Sequence, residues 1–393
     1  MLWPLDTTEE NGVSTTVVST REIDALLKTA EEHEDDVAQL PGDSQKEAVI
    51  VIEDQSAQSD NHTYQLQIGQ DQYLKLMEQD WDRLTVQTPA GGFGIDSGIL
   101  DMASKMLENT AGKLDMSLET LDNNGRPGLD VTLKVAGEVL SEFETTPYGV
   151  RVFIPYTPAE GEDVNSLIVE YLPEDGEPII VRECTYNEKL GGLVLYVSHL
   201  SKFGVAYRSA VFKDVGPDHW ANPYVTFLAA RGIVSGRTDA LYRPDEPATR
   251  AEFAALLAKT FSAANLPARP VQTYRDVSAD SYLAAASNWL YYNNLAAEIT
   301  SGNRFRPNEN ITRQDMATLL NNVITGMGVR LRSQGLDTEY TDFDQIAPYA
   351  KDAVERLRAA GVLDMAANYK FNPTATINRG EMAKIIATLL SLM

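Results

Sequence analysis

Residues 212–236 read FKDVGPDHWANPYVTFLAARGIVSG and residues 241–258 read LYRPDEPATRAEFAALLA, and this two-part pattern recurs twice. Its second copy is YRDVSADSYLAAASNWLYYNNLAAE (274–298) followed by RFRPNENITRQDMATLL (304–320). The third is YTDFDQIAPYAKDAVERLRAAGVLD (340–364) followed by KFNPTATINRGEMAKII (370–386). Asp214, Asp276 and Asp342 correspond, as do Trp220, Tyr282 and Tyr349, the last one residue later in its unit. Pro244, Pro307 and Pro373 each stand six residues before an arginine: Arg250, Arg313 and Arg379. Chance does not hold such an offset three times. A repeated unit of this size cannot bury its apolar face alone, so three units are expected to pack around a shared axis.

Each unit predicts helix–loop–helix. In unit one the first helix carries Tyr224, Phe227 and Leu228 and stops at Gly232, a residue suited to the left-handed C-terminal cap. Asn294 takes that place in unit two and tolerates φ > 0 nearly as well. The second helix opens on a capping signature: Thr249-x-x-Glu252, Thr312-x-x-Asp315 and Asn378-x-x-Glu381. Phe253, Leu256 and Leu257 then make an i, i+3, i+4 face. The recurring arginine lies in the first helical turn, where N–H groups and the helix dipole favour an anion rather than a cation. Two readings follow: an anion bound between the helix start and the arginine, or an internal salt bridge, for instance to the aspartate opening a unit. Trp220, with Tyr282 and Tyr349 in the equivalent place, offers an aromatic face for a sugar ring or simply packs in the core.

The FxDV…WA opening (FKDVGPDHWA), GIVSG, the aromatic-x-Pro turn and the TRAE-like box appear in order, and over residues 212–393 the chain resembles the S-layer homology domains of Gram-positive surface proteins. The resemblance implies a C-terminal triplet folded as an all-α, pseudo-three-fold spindle, three helix–loop–helix units around a central helical bundle. It also implies non-covalent binding of secondary cell-wall polysaccharide, through a pyruvylated amino-sugar held in grooves between repeats. Carried onto this sequence, the polysaccharide-binding set is Arg250, Trp220 and Gly236, with Asp214, Glu252, Arg313, Tyr282, Arg379 and Tyr349. The pyruvyl carboxylate agrees with an arginine at a helix start. Unit two has Glu298 and unit three Met365 where the motif has its second glycine, and neither keeps the tryptophan, so one or two degenerate grooves are expected.

Upstream the pattern changes. Residues 1–45 read as a polar leader with one helix over 21–40, broken at Pro41-Gly42-Asp43-Ser44. Residues 46–146 read as an α+β module with strands at 47–53, 64–68 and 83–88, a helix capped by Ser97, and a hairpin around Asn123-Asn124-Gly125. From 147 to 208 the signals are almost purely strand, giving a small β module. These modules resemble those that precede S-layer homology triplets in secreted Firmicutes proteins, a likeness that implies display rather than a defined activity. The repeats are bounded at 209–267, 268–335 and 336–393.

Composition narrows the function. The chain of 393 residues is 43% hydrophobic, ample for a sizeable core in several domains. With 33 basic and 57 acidic residues its formal charge is −24, which argues against nucleic acid or anionic lipid as partner. Residues 209–393 hold 19 of each sign, 14 of the basic ones arginine, so the whole excess lies in 1–208. The single cysteine, Cys184, excludes an intramolecular disulfide framework and a Cys-based zinc site. No apolar run is long enough to span a membrane. GxSxG, HExxH and P-loop patterns are absent, and neither catalytic residues, metal ligands nor a cofactor are expected.

The expected function is therefore non-catalytic anchoring to the cell wall, with a wall-anchored polysaccharide hydrolase and an S-layer lattice protein as alternatives, and S-layer or other surface proteins as further partners. The location expected is extracellular, at the cell wall or S-layer. MLWPLDTTEENG carries neither the basic nor the apolar region of a signal peptide, so a fragment of a larger parent, a mis-started reading frame or a lost signal is expected.

Overall fold

The computed structural model describes residues 2–5, 7–32, 46–52, 61–143, 149–237, 240–261, 272–329, 331, 334, 339–363 and 369–393. The chain forms two compact units, 1–208 and 209–393.

The first unit begins with strands β1 (Leu2–Leu5), β2 (Thr7–Glu10) and β3 (Val13–Val18) and helix α1 (Thr20–Glu32). Then come β4 (Glu47–Ile52), β5 (Thr63–Gly69), α2 (Gln70–Leu76), β6 (Arg83–Thr88), β7 (Gly91–Asp96) and α3 (Ser97–Asn109). The rest is strand: β8 (Lys113–Asp122), β9 (Pro127–Val135), β10 (Glu138–Leu140), β11 (Val150–Pro155), β12 (Leu167–Tyr171), β13 (Ile179–Val181), β14 (Cys184–Asn187), β15 (Gly192–Val197) and β16 (Lys202–Tyr207). One sheet has seven strands in the order β1-β4-β6-β7-β11-β15-β14. The other has β13-β12-β16-β9-β8-β5-β3-β2, with β10 paired to β9. Alternation works as period-two patterning requires: in β5, Tyr64, Leu66 and Ile68 are fully buried while their neighbours are not.

Two expectations about this region are corrected. The polar leader is strand, because β3 turns polar residues inward. Ser14, Thr16 and Val18 are its buried positions, and the two hydroxyls are satisfied by His62 Nε2 (2.7 Å) and Thr7 Oγ1 (2.8 Å). A buried hydroxyl with a partner costs little, so the inward face is apolar only at Val18 and its hydrophobic signal is weak. Nor are there separate α+β and β modules. Strand β11 pairs with β7, and β16 with β9, so each sheet takes strands from both sides of residue 147. Such pairings are long-range hydrogen-bond choices that local periodicity does not record. The stretch 33–45, including the expected break at Pro41–Ser44, lies outside the described residues. Helix α3 is capped by Asp96, whose carboxylate accepts from the Ile99 N–H at 3.1 Å, rather than by Ser97. Cys184 is buried in β14.

The second unit holds α4 (Asn222–Ala230) and α5 (Arg250–Thr260) in the first repeat, α6 (Ala284–Tyr292) and α7 (Arg313–Gly326) in the second, α8 (Lys351–Ala359) and α9 (Arg379–Leu392) in the third. Among the described residues the main helix packing runs between repeats. The first helix of each repeat packs on the second helix of the preceding one: α6 on α5, α8 on α7, and α4 on α9.

The all-α spindle expected here is a further correction. The helices are only 9 to 14 residues long, and the described backbone between the two of each repeat is non-helical, with β-bridges Pro247↔Asn378, Thr249↔Asn310 and Thr312↔Thr376 that join one repeat to another. Helix cannot continue there. Pro244, Pro307 and Pro373 lack an N–H, and the residues before them, Arg243, Arg306 and Asn372, have φ of 62°, 57° and 57°.

The opening aspartates hold that conformation. Asp214 accepts from the N–H groups of Tyr242 (2.8 Å) and Arg243 (2.6 Å), and Asp276 from those of Phe305 and Arg306 (both 2.8 Å). Asp342 does the same for Phe371 (2.7 Å) and Asn372 (2.8 Å). Asp342 is itself buried. Replacing it by alanine strands two N–H groups, and the expected cost is about 3 kcal/mol. For a unit of this size that lowers its calorimetric melting temperature by roughly 10 °C; an unchanged transition would show the clamp to be idle.

Candidate functional site

The starts of α5, α7 and α9 are where the repeats meet, and their backbone N–H groups are taken up there. Ala248 N donates to Ile377 O (2.9 Å), Ile377 N to Ile311 O (3.3 Å) and Ile311 N to Ala248 O (3.0 Å), a closed ring of backbone hydrogen bonds. The first two N–H groups of each helix are taken by the proline turn of another repeat. Arg250 and Ala251 donate to Glu309 and Pro307, Arg313 and Gln314 to Ala375 and Pro373, Arg379 and Gly380 to Glu246 and Pro244. The N3 amides are taken by the caps Thr249, Thr312 and Asn378. Donors that the sequence alone leaves open to an anion are thus already satisfied.

The three arginines close a second ring. Arg250 Nη1 lies 2.8 Å from Asp315 Oδ2, Arg313 Nη1 3.8 Å from Glu381 Oε1, and Arg379 Nη1 2.7 Å from Glu252 Oε1. Each pair joins the arginine of one repeat to the acid of the next repeat's capping signature, which at Glu252 and Glu381, though not at Asp315, also accepts from the N-cap amide. Their Nε groups donate to Phe305, Phe371 and Tyr242 carbonyls at 2.6–3.0 Å, and each guanidinium lies over that residue's ring. Arg250 Nη2 also donates to Ile299 O at 2.7 Å. Of the two readings for the arginine, the salt bridge is what the structure displays, though its partner is the capping acid and not the opening aspartate. Arg250 is 2% exposed.

Around these clasps stand the aromatic residues. Trp220 is 45% exposed and stacks beside His219; its ring covers Gly380, where a Cβ would come within 2.8 Å of it. Tyr282 is 75% exposed, in the field of Glu252 and Arg237. Tyr349 is 40% exposed and its hydroxyl donates to Asp315 Oδ1 at 2.7 Å. Burial and that bonded carboxylate push its phenol well up. Gly236 is a packing position: a Cβ there would sit 2.9 Å from Leu241 O and 3.2 Å from the Phe212 ring. Asp214 clamps backbone, as described above. Met365 lies outside the described residues.

One residue escaped the sequence reading. Arg237 bridges Glu252 Oε1 (2.7 Å) and Glu246 Oε2 (3.2 Å) with a side chain 38% exposed. An exposed pair of this kind is worth about 0–1 kcal/mol, whereas breaking a buried pair costs about 3–5 kcal/mol. Only its place directly after GIVSG could have flagged it. Among the described residues no group of three or more His, Cys, Asp or Glu could hold a metal ion. No helix of the described residues is long and apolar enough to cross a membrane.

Comparison with known proteins gives this arrangement its class. The chain carries three S-layer homology domains, matched at residues 211–254, 273–317 and 339–383, and domains of this family anchor proteins to the cell wall. Relatives include an amylopullulanase of Thermoanaerobacterium thermosulfurigenes, 27% identical over 51% of this chain and 10% of that protein. Exoglucanase XynX of Acetivibrio thermocellus is 29% identical over 48% of this chain and 17% of its own length. An S-layer protein of Bacillus thuringiensis subsp. finitimus is 27% identical over 47% and 22%. The chain thus spans about a tenth to a fifth of these curated relatives.

Two outcomes are expected of the clasps. Arg379→Ala leaves Glu252 with the more exposed Arg237 as its remaining cation and destabilises the second unit by about 1–3 kcal/mol; adding Glu252→Gln costs much less than it does alone, as coupled groups require. Equal, additive losses would show the two groups to be independent. The second outcome concerns acid. Burial works against the charged forms of Asp214, Asp276 and Glu252, but backbone N–H groups outweigh it, helped at Glu252 by Arg379 and Arg237, and hold all three below their ordinary values. Their contribution is present above the unfolded values near pH 4 and is lost as pH falls through the lower folded values. Calorimetry of the second unit's transition is expected to be level from pH 7 to 5 and to drop below about pH 4; a drop on raising the pH instead would contradict the assignment.

Proposed function

We propose that the chain is a non-catalytic anchor whose repeats, 209–267, 268–335 and 336–393, bind secondary cell-wall polysaccharide and so display residues 1–208 at the cell wall or S-layer. The observation that carries this reading is an aromatic residue left exposed beside each helix start, Trp220, Tyr282 and Tyr349, where plain core packing would have buried it. An aromatic face takes the C–H side of a sugar ring, and the polar groups around it take hydroxyls or an acidic substituent such as the pyruvyl group of an amino-sugar. Arg250, Arg313 and Arg379 then serve as walls that fix the neighbouring repeats, with Glu252 and Asp214 holding the turns beside them.

The names of the amylopullulanase and exoglucanase relatives favour a second reading, a wall-anchored polysaccharide hydrolase with its catalytic acids in 46–208. The matched stretch covers about half of this chain and a small part of each enzyme, so the likeness supports the anchor first. A reducing-sugar assay on the full chain separates the two, since sustained turnover belongs only to the hydrolase. The anchor is tested by calorimetric titration of the full chain with purified pyruvylated wall polysaccharide, with the depyruvylated polymer as control. Binding that needs the pyruvyl group and weakens roughly tenfold in Trp220→Ala is expected. Absence of binding to either polymer overturns the reading.

A further inference from the structure

We propose that the outward face of the seven-stranded sheet holds an oxyanion-binding site, in which Arg83 and Arg151 together take a carboxylate or phosphate group of a small solute. The site belongs to the first unit and does not rest on the anchoring reading.

Register places both guanidiniums on one sheet face. Leu84 and Val86 of β6, Phe93 and Ile95 of β7, and Val150 and Val152 of β11 are buried in the core. The alternate residues Arg83, Thr85, Gly94 and Arg151 therefore lie on the opposite face. Arg151 stands opposite Gly94, Gly94 opposite Thr85, and Arg83 opposite Glu47 of β4. From β11, Arg151 reaches across β7 and β6 to pair with Glu47, so its side chain passes over Gly94 and beside Arg83. Gly94 makes room for this crossing. A Cβ there would collide with the Thr85 hydroxyl and come within 3.0 Å of Arg83 Cδ. Gln87, next on the same face of β6, is exposed. The Arg151 and Glu47 side chains are 27% and 20% exposed, and solvent reaches the site past them.

The charges on this face do not balance. Glu47 Oε1 receives both Arg151 and the Thr85 hydroxyl (2.5 Å). Arg83 is 4% exposed and joins no ion pair among the described residues. Its Nη1 donates to the carbonyls of Gly94 (3.3 Å) and Gly149 (3.2 Å), and its Nε has no partner. Asp96, opposite it on β7, is turned instead to the Ile99 N–H as the cap of α3. Burial and the neighbouring Arg151 push the Arg83 pKa below the ordinary arginine value. Two guanidiniums thus share one carboxylate, in the unit that carries the chain's whole acidic excess. A buried charge left unpaired is costly, and an oxyanion set between the two arginines supplies the missing partner. The planar fork of arginine suits two oxygens of a carboxylate or phosphate. Arg151 can leave Glu47 for such a group by turning one partly exposed side chain.

The test is calorimetric titration of the full chain at low ionic strength with inorganic phosphate and, separately, with acetate, in the unaltered protein, Glu47→Gln and Arg151→Gln. One saturable site is expected for at least one of the two probes. Tighter binding of phosphate marks a phosphate ester as the ligand, and tighter binding of acetate a carboxylate. Affinity is expected to fall about tenfold in Arg151→Gln, which removes one fork. It is expected to rise roughly threefold in Glu47→Gln, which removes the competing carboxylate. Misfolding does not mimic that rise, so the second variant decides the matter even where the first is unstable. Absence of saturable binding overturns the proposal. So does weaker binding in Glu47→Gln, which would make Glu47 itself the anion the arginines are built around. Binding that neither substitution moves is an adventitious ion only and likewise overturns it.

Discussion

The second unit depends on one repeated contact, the arginine at each helix start reaching the capping acid of the next repeat. Because there are three repeats, the contact closes on itself: Arg250 to Asp315, Arg313 to Glu381, Arg379 to Glu252. Everything else at the centre is arranged to permit it. The opening aspartate fixes the turn before the proline, the turn supplies carbonyls to a foreign helix start, and the aromatic residue of that turn lies beneath the arriving guanidinium. Helix termini that would otherwise expose unsatisfied N–H groups are finished by another repeat. That makes each repeat incomplete by itself, for reasons of hydrogen bonding as much as of apolar area.

An arginine in a TRAE-like box next to an aromatic suggests a binding pair, but a buried, bridged guanidinium costs too much to redirect. Buried Arg379 and the more exposed Arg237 share the carboxylate of Glu252. Exposure distinguishes them, and exposure has no local sequence signature.

Legibility followed the range of the interaction. The three repeats, their caps at Thr249, Thr312 and Asn378 and the hairpin at Asn124-Gly125 are local chemistry and can be read directly. So can the alternation of β4 and β5. What could not be read was partnership. β11 joins β7 and β16 joins β9 from more than fifty residues away, and α4 closes against α9, nearly the whole repeat region away. β3 was concealed for another reason: two of its three inward residues are Ser14 and Thr16, which are satisfied by His62 and Thr7, so apolar alternation is reduced to Val18. The partners of the helix-start arginines lie 65, 68 and 127 residues away, beyond any spacing argument.

If the closed ring is what holds the repeats together, its parts cannot loosen separately. Amide hydrogen exchange at Ala248, Ile311 and Ile377, measured in the full chain and in Arg379→Ala, asks this directly. The ring predicts that all three amides open together in the unaltered protein and lose protection together in the variant, although the substitution breaks a single joint. Loss of protection confined to Ala248, next to the broken joint, with Ile311 and Ile377 unchanged, would show three independent repeats and contradict the account.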